Sequence, residues 1–473
     1  MDATSHATLS RERSVLMSTL LATNLISSST HRQEPSQLPE AMQYVKNYVK
    51  QVQDAYNNKD RERISDLIMF DDNLSELAEL QKVLYEMTED SIRSTVQSQL
   101  QNGPRPFKNF VTNYLNFTIA AALDSSAYID VYELLSLCYG SFLALFMAQD
   151  AQFLTPLLMA MSRELADKEN PRAKEPRISD AAAKHLSRAF NSVINDKVPN
   201  ALEDSKKMAL YYLANLTFRI YFKLKSTRLI PTMIANISKA GVSLANFPMS
   251  QQVTHRYYLG RYQLYQLNLR QAERDLSFAF TNCRACHDDD EGLIFKNSRL
   301  ILTYLTACRL CLGRMPTFPL LSTYDLDGYF WDLSLAVRSG NLRLLNRILS
   351  FGPSQGPSGI QEADWLVKKE IYFLLKEKLT VLCWRSLIRR TFLVTRGPHD
   401  TQLRVQLETL LRAAQVLTKD ADLDLLDLEC ITASLLDQGY IKGYIHSQKK
   451  ILVLSNRNPF PTVYSVEVTE EAA

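Results

Sequence analysis

Glycine is scarce in this 473-residue chain: fourteen residues, about 3% where average usage is roughly 7%. With Leu, Ala, Arg, Lys and Gln abundant, that composition excludes glycine-rich looped architectures and favours helix nearly throughout. Cysteine is thin too. Seven residues, an odd number spread over a long chain, build no disulfide framework and point to a reducing compartment, nucleus or cytosol. An excess of either charge is missing: 54 Lys and Arg stand against 51 Asp and Glu, a formal +3. Global electrostatics therefore neither require nor exclude a polyanionic partner, and any basic surface must be local.

Long apolar runs are also missing. The most apolar window, Val131 to Ala148, contains Glu133 and Ser141 and has no basic flank, so a buried helix is expected there and no membrane partner. Val15 to Ile26 is interrupted by Ser18, Thr19, Thr23 and Asn24 and lacks a cleavage pattern, which argues against a secretory signal. Seven scattered histidines, with neither a Gly-x-Ser-x-Gly elbow nor a His-Glu-x-x-His helix, offer no catalytic constellation. The loop Gly352 to Gly359 lacks the Lys-Ser/Thr of a phosphate cradle. A non-enzyme without cofactor or small-molecule substrate is expected.

What is present is helical periodicity, at 46% hydrophobic content, enough for large cores. Residues 1–38, ending in a Ser/Thr tract and Pro35, read as a flexible arm. Residues 39–166 read as an N-terminal helical region, with Met42, Val45, Val49 and Val52 on one face. The charged, proline-broken stretch from Asp167 to Arg177 is the clearest linker. Over 178–351 helices follow at short intervals. There Leu259-Gly260, Ala272, Leu276 and Ala279 take the spacings of a tetratricopeptide-type hairpin turning at Asn268. One hairpin cannot bury its own face, so a stack of similar pairs is expected.

Residues 363–461 begin with helical patterns through Leu375, Leu382 and Leu387, and a further helix is expected from Gln402 to Val416. The next helix, through Leu425, Leu428, Ile431 and Leu435, starts with acids that suit the helix dipole. Beyond Gly439, Ile441 to His446 and Ile451 to Leu454 alternate about a Ser447-Gln448-Lys449 turn. Helix followed by hairpin is the last half of a winged helix, and 462–473 reads as a tail.

Two cysteine pairs, Cys283-x-x-Cys286 and Cys308-x-x-Cys311, have a spacing that suits zinc in a loop-rich chain. Here Cys308 and Cys311 fall inside an apolar helical pattern, where cysteine is an ordinary small buried residue. No metal is expected. The acids Asp288 to Glu291 lack the spacing of a calcium loop and read as a solvated turn.

Over roughly Asn200 to Pro461 the chain resembles the PCI-domain family. The similarity is strongest in the segments His255-Arg256-Tyr257-Tyr258-Leu259-Gly260-Arg261-Tyr262, Leu312-Gly313-Arg314-Met315-Pro316-Thr317, Gly443-Tyr444-Ile445-His446 and Asn458-Pro459-Phe460-Pro461. The resemblance implies an all-α fold: a right-handed, TPR-like helical solenoid capped by a C-terminal winged helix, with the PCI domain over roughly 251–461. It is closest to the branch of the second transcription-export (TREX) complex, with the twelfth-subunit-like protein of the signalosome as sister. It further implies a scaffold in messenger-RNA export at the nuclear pore, a second PCI-like protein paired through the winged helix, and a small acidic disordered peptide on the helical array.

Local charge indicates where RNA would meet such a scaffold. From Gln438 to Phe460 there are Lys442, Lys449, Lys450 and Arg457 and no acid, and the helix before Val394 carries Arg385, Arg389 and Arg390. From Lys419 to Asp437 one base faces six acids, which disfavours insertion of that helix into a groove. The seven basic residues are the expected contacts to an RNA backbone, with Tyr444 and His446 in position to stack.

Overall fold

The structure is a computed structural model and describes residues 38–466, apart from residues 69, 71–74, 86, 102, 123–127, 168–175, 197–201, 287–290, 351–361, 397–402 and 419–421. The expectations for the N-terminal arm, for most of the charged linker, for the Gly352 loop and for Asp288 to Asp290 lie outside the described residues. The chain divides into two compact units, Met1–Ala209 and Leu210–Ala473. The division thus falls one helix beyond the charged linker.

The first unit contains α1 (Leu38–Asn57), α2 (Arg61–Leu67), α3 (Ser75–Leu84), α4 (Glu89–Gln99), α5 (Arg105–Ala122), α6 (Tyr128–Phe146), α7 (Thr155–Asp167) and α8 (Pro176–Ile194). Val45, Val49 and Val52 form the buried stripe of α1, which packs on α2 and α4. Phe107, Phe110, Tyr114, Tyr139, Phe142 and Phe146 are all buried where α5 and α6 lie together. The apolar α6 is therefore a core helix. Among the described residues no helix is long and apolar enough to cross a membrane. The ammonium of buried Lys206 donates to the carbonyls of Phe146 (2.8 Å) and Ala148 (2.7 Å), a cation at a helix C-terminus where the dipole favours it.

In the second unit α9 (Leu210–Lys223), α10 (Ile230–Lys239), α11 (Met249–Tyr265), α12 (Leu269–Asn282) and α13 (Glu291–Cys311) are the helices of the repeat region. Helix α11 packs along α12 and α12 along α13. The expected hairpin is present, and Gly260 explains it: a Cβ there would lie 2.5 Å from Leu276 Cγ. Only glycine permits so close an approach of the two helices. Ala272, Leu276 and Ala279 are fully buried at the same seam, and the Asn268 amide donates to Gln263 Oε1 (2.8 Å) across the turn.

Charged residues in and beside the segments that carry the family resemblance are clamps within this region. Arg256 pairs with buried Asp275; Arg309 and Arg314 both reach buried Glu273, at 3.2 and 2.7 Å. Arg261 lies among the rings of Phe222, Tyr257, Tyr265 and Tyr304, a cation–π cluster that also faces Glu370 at 4.0 Å.

After α14 (Phe318–Thr323), α15 (Asp327–Ser339), α16 (Leu342–Ile348) and α17 (Glu362–Lys368), the 24-residue α18 (Tyr372–Thr395) packs on α13 and α15. Strand β1 (Arg404–Gln406), α19 (Leu407–Thr418), α20 (Leu425–Asp437), β2 (Gly443–His446) and β3 (Ile451–Leu454) complete the winged helix. The sheet has three antiparallel strands in the order β1-β3-β2. The sequence had suggested a helix from Gln402; instead residues 404–406 are a strand and the helix starts at Leu407. The cause is tertiary. Val405 is buried between exposed Arg404 and Gln406, a period-two pattern that pairing with β3 rewards more than one further helical turn would.

Candidate nucleic-acid interface

Helix α20 is set by a capping box: the Asp424 carboxylate accepts from the Asp427 N–H (2.8 Å) and the Asp427 carboxylate from the Asp424 N–H (3.2 Å). Two of its acids thereby satisfy the helix start. Its buried face is Leu428, Thr432 and Leu435. The hairpin that follows closes through a single turn of 3-10 helix, Ser447–Lys449, and Lys450 in the left-handed region at φ 54°. Register pairs Tyr444 with Val453, Ile445 with Leu452 and His446 with Ile451 on one side of β3. On the other side Arg404 pairs with Val453, Val405 with Leu452 and Gln406 with Ile451.

Directly opposed residues share a sheet face. Val405, Leu452 and Ile445 therefore face the core: the first two are part of it and Ile445 packs against it. Arg404, Val453 and Tyr444 form a row on the other face, and Gln406, Ile451 and His446 form the next. Tyr444 is 60% exposed, and neither Ile451 nor Val453 packs against the core.

The seven expected basic residues do not form one patch. Lys442, Lys449 and Arg457 are exposed, Lys449 at the tip of the hairpin and the other two at its base. The base is closed by the Lys442 N–H donating to the Pro459 carbonyl (2.9 Å) and the Ser455 N–H to the Lys442 carbonyl (2.8 Å). Lys450 turns the other way: its ammonium donates to Glu429 Oε2 of α20 at 2.9 Å. The hydrogen bond from Lys450, then one from Ser447, holds the Glu429 carboxyl below its usual range.

Arg389 and Arg390 are exposed on α18. Arg385, one turn earlier, is half-buried and donates to the carbonyls of Tyr440 (3.2 Å) and Pro461 (2.5 Å). Burial, and then the charge of Arg389, lower its pKa. It fastens backbone to backbone, so its place is structural. Arg404, in a segment where the sequence suggested helix, stands exposed on the strand beside the hairpin. The only local signal is the alternation Arg404-Val405-Gln406.

Cys283, Cys308 and Cys311 are buried in the core. The Cys308 thiol donates to the Leu269 carbonyl at 3.1 Å, and burial pushes its pKa up and that of Cys311 up to about 12, against the thiolate that a metal needs. Among the described residues, no group of three His, Cys, Asp or Glu is placed to hold a metal ion. Cys286 ends the turn Cys283–Cys286 after α12.

No protein-family model matches the chain. A PCI domain-containing protein of Schizosaccharomyces pombe is 32% identical over 431 residues, covering 87% of this chain and 93% of that one. PCI domain-containing protein 2 of Danio rerio is 32% identical over 372 residues, 76% and 86% of the two chains. Protein CSN12 homolog of Neurospora crassa is 32% identical over 308 residues, 62% and 64% of the two.

Proposed function

The chain belongs to the PCI-domain family, and from that premise we propose that it is a non-enzymatic scaffold subunit of a nuclear, pore-associated messenger-RNA export complex. In this reading the winged helix pairs with that of a second PCI-like protein, the helical array holds a small acidic disordered peptide, and the paired winged helices bind RNA. The observation that carries the RNA part is the hairpin. Exposed Lys442, Lys449 and Arg457 mark its base and tip, Arg404 flanks it, and no acid lies between Gln438 and Phe460. Such cations track a phosphate backbone without reading base edges, which suits RNA better than a DNA operator.

The test is Lys449→Glu with Arg457→Glu, measured for RNA affinity in the assembled complex at low salt. Lys450 is left alone, because reversing it would set two carboxylates against each other and disturb the hairpin. The double variant is expected to weaken RNA binding several-fold while the complex assembles normally; unchanged affinity would remove the hairpin from the RNA surface. A second reading, a signalosome-type scaffold without nucleic-acid binding, draws support from the CSN12-named relative. Purification of the protein from cells separates the two: export and pore factors support the first, signalosome subunits the second.

A further inference from the structure

The face of the winged-helix sheet turned away from the core has a composition that solvent exposure does not explain. On a half-solvated antiparallel sheet the outward positions are ordinarily polar. Here the central strand β3 points Leu452 and Leu454 into the core, both buried, and leaves Ile451 and Val453 half-buried on the opposite face. Around these two apolar residues the neighbouring strands place Tyr444 and Arg404 in one row and His446 and Gln406 in the next. The two rows lie about 7 Å apart along the strands. Lys449 continues the line beyond the tip, and Lys442 and Arg457 continue it beyond the base.

An apolar floor, two ring-bearing side chains, a guanidinium and cations at both ends complement one chemistry: flat, uncharged rings strung on an anionic backbone. We propose that this face is a stacking platform for single-stranded RNA, with Tyr444 and His446 receiving successive bases, Ile451 and Val453 forming the floor between them, and Arg404 stacking or pairing at the edge. The proposal rests on the RNA-binding reading above and adds to it the surface that meets the bases. The cations supply salt-dependent attraction, and the platform supplies a term that salt does not screen. That difference separates the two experimentally.

The test uses the full-length chain and a short fluorescein-labelled single-stranded RNA, titrated by anisotropy at several salt concentrations. Three variants are compared with the parent: Tyr444→Ala, Tyr444→Phe and Lys449→Glu. Tyr444 is largely exposed, so its substitution leaves the fold intact, which thermal melts check. Tyr444→Ala is expected to weaken binding about fivefold or more, as loss of one stacked base does, without changing the slope of log affinity against log salt. Tyr444→Phe is expected to retain parental affinity, and Lys449→Glu to weaken binding and flatten the slope. If Tyr444→Ala binds like the parent while Lys449→Glu is impaired, the platform is wrong and the RNA reading stands. If the parent binds no RNA either alone or in the assembled complex, both are overturned. Should Tyr444→Ala then block pairing with a protein partner, the face is a protein interface instead.

Discussion

At the scale of single residues, His255 shows how a polar group in the motif His255-Arg256-Tyr257-Tyr258 serves the core. It is buried, and its ring lies edge-on to Tyr211 and stacked on Phe218, at 4.8 and 5.7 Å between centroids. The Asn215 amide fixes the tautomer: its N–H₂ donates to the Gln251 carbonyl (3.0 Å), so Oδ1 is left to accept from His255 Nδ1 (3.0 Å). A second ring proton would be placed among aromatic side chains. Burial, then the charge of Arg256, accordingly lowers the pKa from 6.5 to about 3. The folded state stays neutral in that interval while the unfolded chain takes up a proton. Stability is therefore complete above pH 6.5 and falls as pH drops toward 3, by up to roughly 1.4 kcal/mol per unit of pH. Urea midpoints of the parent and of His255→Gln should differ at pH 7, where the parent is more stable, and converge by pH 5. A difference that holds constant with pH would show that the imidazole does not titrate in this way.

At the scale of elements, the segment after β3 does more than end the chain. Residues 460–466 run back from the hairpin over α12 and α13: Arg270 donates to the carbonyls of Tyr464 (3.0 Å) and Val466 (3.3 Å), and the Arg314 guanidinium sits 4.0 Å from the centre of the Tyr464 ring. Phe460 meets Phe392 of α18, at 6.1 Å between ring centroids. Gly313 makes this seat possible, at φ 74° and with room for a Cβ only 2.5 Å from that of Val463. Gly313→Ala therefore adds backbone strain to a clash, a loss of about 1–3 kcal/mol, read as a lower melting temperature. Combined with Val463→Gly, which removes the Cβ that the new methyl would meet, the loss should be smaller than the sum of the two single losses, because the clash is shared and the strain is not. Strict additivity would place Val463 out of contact with residue 313. These contacts seat the residues just after Asn458-Pro459-Phe460-Pro461 on the Leu312-Gly313-Arg314 segment.

At the scale of the molecule, what could be read in advance was what repeats locally. Helical periodicity, the Leu259-Gly260 hairpin, the acidic start of α20 and the alternation of the wing each declare themselves within a few residues. What could not be read arises between distant residues. β1 is three residues long and exists through its register with β3; Lys450 is neutralised by a glutamate 21 positions earlier; Arg385 is engaged by carbonyls 55 and 76 positions later. A count of basic residues weighed all seven alike, and geometry does not. With a net charge of only +3 over 473 residues, no broad field masks the difference, so the salt dependence of RNA binding becomes a count of contacts. Each phosphate neutralised on a single strand contributes about −0.7 to the slope of log affinity against log salt. The hairpin group of Arg404, Lys442, Lys449 and Arg457 then predicts a slope of about −3, whereas all seven residues of the original set would give about −5. Titration of the full-length chain over a range of potassium chloride concentrations distinguishes them: a slope near −3 fits the hairpin alone, a steeper one adds Arg389 and Arg390, and a flat one removes the hairpin cations from the phosphates altogether.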